Sequence, residues 1–262
     1  MIMEIEQHIA LIAALAGVGF LAGLVDSIAG GGGLLSVPAL LASGLPPVMV
    51  LGTNKIQSSL GTAIATWRFH RAGIIRWRAL APAIVLTAIG SALGTWLVQV
   101  IQIATLKLVI PVLMLGAIAY FVLSPRMTDA DAHQRISLTG YAAIAGVIGF
   151  YDGFFGPGTG SFLAASLVGL VGMGLSRATG HTKALNLTSN IVSAGLLIHA
   201  GQVAWMIALP MGLMNICGAW VGSHFALRHG AAVIRPLLVL VSIGLTIRIL
   251  LDPANPLRAL FP

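Results

Sequence analysis

The sequence predicts an all-α integral membrane protein built from two inverted-topology repeats, and three observations lead to this fold class. The 262 residues are 58% hydrophobic and only 8% charged, whereas a soluble domain carries roughly 25% charged residues. Ten apolar segments follow one another along the chain. A pattern of lysine, aspartate, tryptophan, proline and glycine recurs, so that Lys55 returns as Lys183, 128 residues later.

The apolar segments predict about eight transmembrane helices. They lie at about 9–29, 34–45, 48–70, 79–101, 105–123, 138–155, 161–174, 178–198, 204–226 and 233–251. Segments 34–45 and 161–174 are too short to span, because crossing a bilayer takes about 20 residues. Each follows a glycine cluster, and glycine allows a helix to break. We therefore expect each to form a broken or re-entrant hairpin with the segment before it.

The repeat rests on residue types that do not align easily by chance. Glycines match readily in a glycine-rich chain, but lysine, aspartate, tryptophan and proline do not. The 128-residue spacing relates Lys55/Lys183, Gly73/Gly201, Trp77/Trp205, Pro82/Pro210 and Gly94/Gly222, and a 126-residue spacing relates Asp26/Asp152 and Gly30/Gly156. The repeat units are predicted at 1–125 and 138–262, joined by a linker at 126–137.

Positive charge predicts the orientation of the two repeats. Arg68, Arg71, Arg76 and Arg78 flank one short loop, whereas the matching loop at 199–205 contains no lysine or arginine. Because cytoplasmic loops are enriched in lysine and arginine, the first loop is expected inside and the second outside. The same rule explains the net charge of +7 without a nucleic-acid partner.

This topology places the protein in the inner or plasma membrane as a multi-pass chain. The linker at 126–137 is then cytoplasmic and both termini are external. The first apolar segment is expected to be kept, because the start of the chain lacks the basic region and cleavage site of a signal peptide. Inverted repeats with broken helices are typical of secondary transporters, whose site lies near the midplane between the repeats.

Other functional classes find little support in the sequence. Cys217 is the single cysteine, and the histidines show no metal-ligand spacing, so we expect no metal and no cofactor. No H-E-x-x-H or G-x-S-x-G motif is present, which makes an intramembrane enzyme the less favoured alternative. A passive scaffold would leave two costly intramembrane lysines unexplained.

These two lysines are the leading candidates for function. Lys55 and Lys183 lie eight or nine residues into helices expected to start near Pro47 and Leu175. At 1.5 Å per residue that is about 13 Å, roughly the middle of a ~30 Å hydrocarbon core. Ionisable residues at that depth usually mark substrate pathways, and two ammonium groups suit a small anion. Alternatively, each lysine snorkels or pairs with Asp26 or Asp152.

Further candidates surround the lysines in both repeats. Polar side chains that could bind an anion, or join helices to each other, are Asn54, Gln57, Ser58, Thr182, Asn186, Ser189 and Asn190. Helix N-termini after the glycine clusters offer free N–H groups; the alternative is close helix packing. Their residues are Gly32, Gly33, Gly158, Thr159, Gly160 and Ser161. Asp26 and Asp152 could carry protons, cap the broken helices or neutralise a lysine.

Three motifs carry a family resemblance over nearly the whole chain. They read G-F-L-A-G-L-V-D-S-I-A-G-G-G-G-L-L-S-V-P at Gly19–Pro38, T-N-K at Thr53–Lys55 and G-F-Y-D-G-F-F-G-P-G-T-G-S-F at Gly149–Phe162. With them the chain resembles the TauE/SafE family of membrane transporters, some of which are called sulfite exporters. The resemblance implies a permease for sulfite, organosulfonates or related sulfur-containing anions. Many members have a glycine-richer second motif, so transport of another small organic anion remains an alternative.

Overall fold

A computed structural model describes residues 2–123 and 134–229, and every regular element in these ranges is helical. The helices are α1 Ile2–Ala29, α2 Gly33–Ala42, α3 Pro47–Arg71, α4 Trp77–Val100, α5 Ile103–Leu123, α6 Ala142–Phe154, α7 Thr159–Ser166 with a π-helical turn Leu167–Val171, α8 Leu175–His199 and α9 Trp205–His229. The predicted all-α membrane fold is confirmed. The tenth apolar segment, 233–251, and most of the linker lie outside the described residues.

Four of the described helices are long and apolar enough to cross a membrane. They contain the spans Glu6–Ala29, Trp77–Val100, Ile103–Tyr120 and Trp205–Arg228. The helices α3 and α8 have 25 residues each, about 37 Å at 1.5 Å per residue. They are long enough to span, but they carry the lysines and amides that the sequence singled out, and most of these side chains are buried.

The helix boundaries follow the spacing seen in the sequence. Helices α3 and α8 begin at Pro47 and Leu175, and α4 and α9 begin at Trp77 and Trp205, so both pairs are 128 residues apart. Helix α1 packs along α9, while α6 packs along α4, so the two halves of the chain are interleaved. The opposite orientation of the repeats in the membrane, and their limits at 125 and 138, stay predictions.

Glycines make both of these interleaved contacts close. A Cβ atom built on Gly218 or Gly222 of α9 would clash with the main chain of α1. One built on Gly90 or Gly94 of α4 would clash with the main chain of α6 in the same way. Each pair of glycines is spaced by four residues, the small-residue pattern by which membrane helices approach closely. The α1–α9 and α4–α6 interfaces therefore use the same glycine spacing.

The two broken helices meet between the halves. Helix α1 ends at Ala29 before α2 begins, and α6 ends at Phe154 before α7 begins. The breaks contain Gly30 and Gly156 with φ angles of 76° and 101°, values that favour glycine. Gly30 also touches Gly160 so closely that a Cβ atom on either would clash with the other's main chain. The two breaks thus form one continuous piece of irregular backbone.

Candidate functional site

A small polar cavity lies where the two helix breaks meet. Its volume is about 20 Å³, room for about one ordered water molecule. The polar residues predicted from the sequence that line it are Asp26, Asn54, Lys55, Ser58, Asp152, Asn186 and Asn190. The rest of the wall comes from glycines at and beside the helix breaks, Gly30, Gly33, Gly156, Gly158 and Gly160. Residues of both halves of the chain therefore line one cavity, and its role as the substrate site stays a prediction.

Lys55 forms a fully buried ion pair at this cavity. Its Nζ lies 2.8 Å from Oδ2 of Asp152, and each side chain is 2% exposed. The same Nζ donates a hydrogen bond of 3.1 Å to Oδ1 of Asn190. The Asp152 carboxylate also accepts a hydrogen bond from the Ser189 hydroxyl. Each charge thus has its ionic partner and a further polar partner, which a buried ion pair needs in order to persist.

Lys183 forms the corresponding pair with Asp26. Its Nζ lies 3.0 Å from Oδ2 of Asp26, and the side chains are 0% and 18% exposed. Lys183 also donates to the main-chain carbonyl of Asp26, in the last turn of α1. In contrast to Lys55, Lys183 is not part of the cavity wall. Lys183 therefore binds the last turn of α1 from outside the cavity.

The two ion pairs are crossed between the halves. The lysine of α3 pairs with the aspartate of α6, and the lysine of α8 pairs with the aspartate of α1. Of the alternatives left open by the sequence, pairing with an aspartate is the one that both lysines adopt in this structure, so neither of them snorkels. Contact of either lysine with a substrate stays a prediction.

The amide side chains form a hydrogen-bonded layer around the cavity. Oδ1 of Asn54 accepts from the Ser36 hydroxyl at 2.5 Å and from Nε2 of Gln57 at 2.8 Å. On the opposite wall, Nδ2 of Asn190 donates to Oδ1 of Asn186 at 3.3 Å. Because these bonds fix the side chains, the cavity offers polar groups whose positions are set before a ligand arrives.

Several predicted residues lie behind the wall rather than in it. Gln57 joins α3 to α9, since its Oε1 accepts a hydrogen bond of 2.5 Å from Asn215. The Ser161 hydroxyl donates to the Ala29 carbonyl at 2.8 Å and so ties the two breaks together. The Thr159 hydroxyl donates within its own turn, to the carbonyl of Gly156 at 2.7 Å.

Two further predicted residues are close to the site without lining it. Gly32 packs against α1, where an added Cβ atom would meet the Ala22 carbonyl and the Cβ atom of Asp26. Thr182 is 1% exposed, and its hydroxyl has no hydrogen-bond partner among the residues that the structure describes. It occupies the position in α8 that Asn54 occupies in α3. In this conformation, only the α3 copy reaches the cavity.

The expected free amides at the helix N-termini are partly occupied. The N–H groups of Leu34 and Leu35 donate to the carbonyls of Gly31 and Gly32, each at 3.0 Å. The N–H group of Thr159 donates to the Gly156 carbonyl at 3.1 Å. For these three amides the expectation of free anion donors is wrong in this conformation, because tight turns at the breaks satisfy them locally.

Asn215 supports the site and was not among the polar residues predicted from the sequence. Asn215 is 3% exposed and lies within the apolar run of α9. An asparagine inside an apolar segment was the signal that could have identified it. Ser189 was among the predicted polar residues of α8, but its hydrogen bond to Asp152 depends on the packing of α6 against α8, which the sequence does not reveal.

Comparison with known proteins identifies relatives of the whole chain. Residues 15–249 match the family model described as sulfite exporter TauE/SafE. The probable membrane transporter protein ORF9 of Sinorhizobium sp. is 44% identical over 240 residues, which cover 91% of this chain and 92% of the relative. The probable membrane transporter protein YfcA of Escherichia coli (strain K12) is 42% identical over 90% of this chain and 88% of its own. No solved structure matches the chain.

Proposed function

This chain belongs to the sulfite exporter TauE/SafE family of membrane transporters, and we propose that it carries a small sulfur-containing anion, sulfite or an organosulfonate. One observation carries the proposal. The Lys55 ammonium group lies in the wall of a cavity enclosed by both broken helices, among amides and a hydroxyl. An ionisable residue held inside a membrane protein at such a point marks a substrate pathway.

The side chains at the cavity suit the oxygens of a sulfite or sulfonate group. An ammonium group has three N–H donors, and each asparagine amide has two more. Lys55, Asn54 and Asn190 converge on the cavity from α3 and α8. Hydrogen bonds from charged donors to anionic oxygens are the stronger ones. A carboxylate would satisfy the same donors, so matched sulfonate and carboxylate ligands distinguish between the two classes of anion.

Substrate binding requires the cavity walls to separate. A volume of about 20 Å³ accommodates about one water molecule, so this conformation has no room for the anion. The Lys55–Asp152 pair must open as the anion reaches the lysine. Lys183 becomes a second contact only when its bond to Asp26 opens as well. Movement of one half against the other around a central site is the usual mode of repeat transporters.

The decisive experiment measures ligand binding and transport by the purified protein. A bound ligand stabilises the folded state by mass action, so sulfite, methanesulfonate or isethionate should raise the melting temperature in detergent. Acetate and lactate serve as matched carboxylates, and Lys55→Gln serves as the variant in which the shift should be lost. The anions that bind are then assayed for transport in proteoliposomes. Stabilisation by the carboxylates but by none of the sulfur anions would overturn the proposed substrate.

The orientation in the cytoplasmic membrane is proposed from the arginine asymmetry, with both termini external. Ala72 and Ala200 provide a matched test, because they occupy corresponding loops and both are exposed. In a Cys217→Ser background, a cysteine at each position should react with an impermeant maleimide from opposite sides of the membrane. Labelling from the same side would overturn the inverted arrangement.

A further inference from the structure

The charged side chains at the site are balanced before any substrate arrives. Lys55 and Lys183 contribute two positive charges, and Asp26 and Asp152 contribute two negative charges. Within the described part of the chain, no other charged side chain lines the cavity. An anion that enters therefore adds an uncompensated negative charge in a buried place, which is strongly unfavourable. A cation must accompany it.

The two pairs do not respond equally to an entering anion. Lys55 lies in the cavity wall, whereas Lys183 does not. An anion that binds Lys55 competes with the Asp152 carboxylate for the same ammonium group. Asp152 is 2% exposed, so water does not replace the lost partner. The entering anion therefore destabilises the charged form of the Asp152 carboxylate, which has lost its partner.

We propose that binding of a monovalent anion to Lys55 is coupled to uptake of one proton by Asp152, an inference that rests on the proposed function. The proton comes from the aqueous side to which the cavity is open, and it converts the carboxylate to a neutral carboxylic acid. The Lys55–anion pair and the neutral acid together carry no net charge. The protein then moves the anion and the proton in the same direction.

Ser189 provides a hydrogen-bond partner for either charge state of Asp152. Its hydroxyl donates to Oδ2 of the carboxylate, and it also lies 3.0 Å from the main-chain carbonyl of Asn186. A hydroxyl both donates and accepts. When Asp152 is protonated, its O–H group donates to Oγ of Ser189, and Ser189 turns its own proton to the Asn186 carbonyl. The neutral acid is therefore hydrogen-bonded without any movement of the backbone.

The remaining ionisable groups around Asp152 leave Lys55 as its direct cationic partner. Helix α4 carries only Arg78, in its first turn, and α7 carries no charged residue. Next to Asp152, the Tyr151 hydroxyl donates to the Pro157 carbonyl at 2.6 Å. Asp26 lies across the cavity. The ionisable residues of α8 are Arg177, His181, Lys183 and His199.

Calorimetric titration counts the proton directly. Methanesulfonate is the first probe because its own charge is constant in the neutral pH range, and sulfite is the second, corrected for its own protonation. Titrations in two buffers of different ionisation enthalpy should give one proton taken up per anion bound. Because one proton is taken up with each anion, affinity should fall as the pH rises. Asp152→Asn should take up no proton, and its affinity should not change with pH.

Two variants serve as controls for the assignment. Glu6→Gln removes an exposed carboxylate near the start of α1, at the opposite end of the helix from Asp26. This variant should retain the uptake of one proton. Loss of the proton in Glu6→Gln would overturn the assignment to Asp152. If Asp152→Asn does not fold, Ser189→Ala replaces it. That variant should shift the pH at which affinity begins to fall, whereas a serine with only a packing role would leave that pH unchanged.

The outcomes separate this inference from the proposed function. Binding of methanesulfonate or sulfite without proton uptake, or with a requirement for sodium instead, overturns the coupling and leaves the anion site standing. Absence of binding by every sulfur anion overturns both. One proton per anion in the wild type, absent in Asp152→Asn and present in Glu6→Gln, supports the coupling.

Discussion

The Lys55–Asp152 and Lys183–Asp26 pairs are the same interaction made twice, yet their surroundings differ. The first is fully buried at the cavity wall, and the second has an aspartate that is 18% exposed and a lysine outside the wall. Lys183 also holds a main-chain carbonyl, whereas Lys55 holds the side chain of Asn190. Both members of the first pair line the cavity, whereas in the second pair only Asp26 does and its lysine binds the last turn of a broken helix.

Sequence differences at corresponding positions explain this divergence. Ser189, which donates to Asp152, corresponds to Gly61 in the first half. Gly61 has no side chain to donate to Asp26, and it instead leaves space for the Asn215 side chain. Asn190, which supports Lys55, corresponds to Thr62, whose hydroxyl donates to the Ser58 carbonyl of its own helix at 2.7 Å. The repeat conserves the charges but not the groups around them.

The largest expected difference between the pairs concerns stability. Asp152→Asn leaves Lys55 buried without its ionic partner and should cost about 3–5 kcal/mol of unfolding free energy. Asp26→Asn should cost only about 1.5 kcal/mol, because Lys183 keeps the Asp26 carbonyl. Unfolding in mixed detergent micelles without ligand measures both. Equal losses would show that the two pairs have the same structural role.

Substrate affinity should separate the two lysines next. Lys55→Gln removes a charged donor from the cavity wall and should weaken anion binding by about tenfold to a hundredfold. Lys183→Gln should weaken it by less than about threefold, since this lysine lies behind the wall. Titration calorimetry with the anion that stabilises the wild type measures both constants. A larger loss of anion affinity in Lys183→Gln than in Lys55→Gln would indicate that the anion binds at the Lys183–Asp26 pair instead.

A smaller difference is expected between the supporting residues. Asn190→Ala removes the side-chain oxygen that holds Lys55 and should lower the unfolding free energy by about 1 kcal/mol. Thr62→Ala, at the corresponding position, should change it by less than about 0.5 kcal/mol, because its hydroxyl only bonds back to its own helix. Melting temperatures of the two variants, with and without ligand, test this. Equal shifts would mean that Asn190 is merely a packing residue.

The smallest net effect on stability is expected when both members of the buried pair are neutralised. Lys55→Gln combined with Asp152→Asn leaves no uncompensated charge, so its unfolding free energy should return to within about 1 kcal/mol of the wild type. Anion affinity should nevertheless stay lost, because the ammonium group is absent. If the two single losses in stability simply add, the residues are not coupled and the ion pair contributes little.

Most of the fold could be predicted from the sequence, because hydrophobic length and glycine clusters are local signals. The starts of α3 and α8 at Pro47 and Leu175 agree with the expected positions, whereas the depth of the lysines in the bilayer stays a prediction. The crossing of the ion pairs could not be predicted, since it depends on which helices touch. For the same reason the hydrogen bonds from Ser189 to Asp152 and from Asn215 to Gln57 could not be predicted. The Leu34 amide is occupied because of a tight turn that residue spacing does not reveal.

The crossed pairs also bear on the evolutionary origin of the chain. In the present protein, Lys55 is not satisfied by Asp26, the aspartate of its own half, but by Asp152 from the other. A half-length ancestor with one lysine and one aspartate would have made both pairs by associating with a second copy of itself. Joining two such genes would then preserve the partners while freeing each copy to change alone. Ser189 and Gly61, which occupy corresponding positions but differ in type, are an example of such separate change.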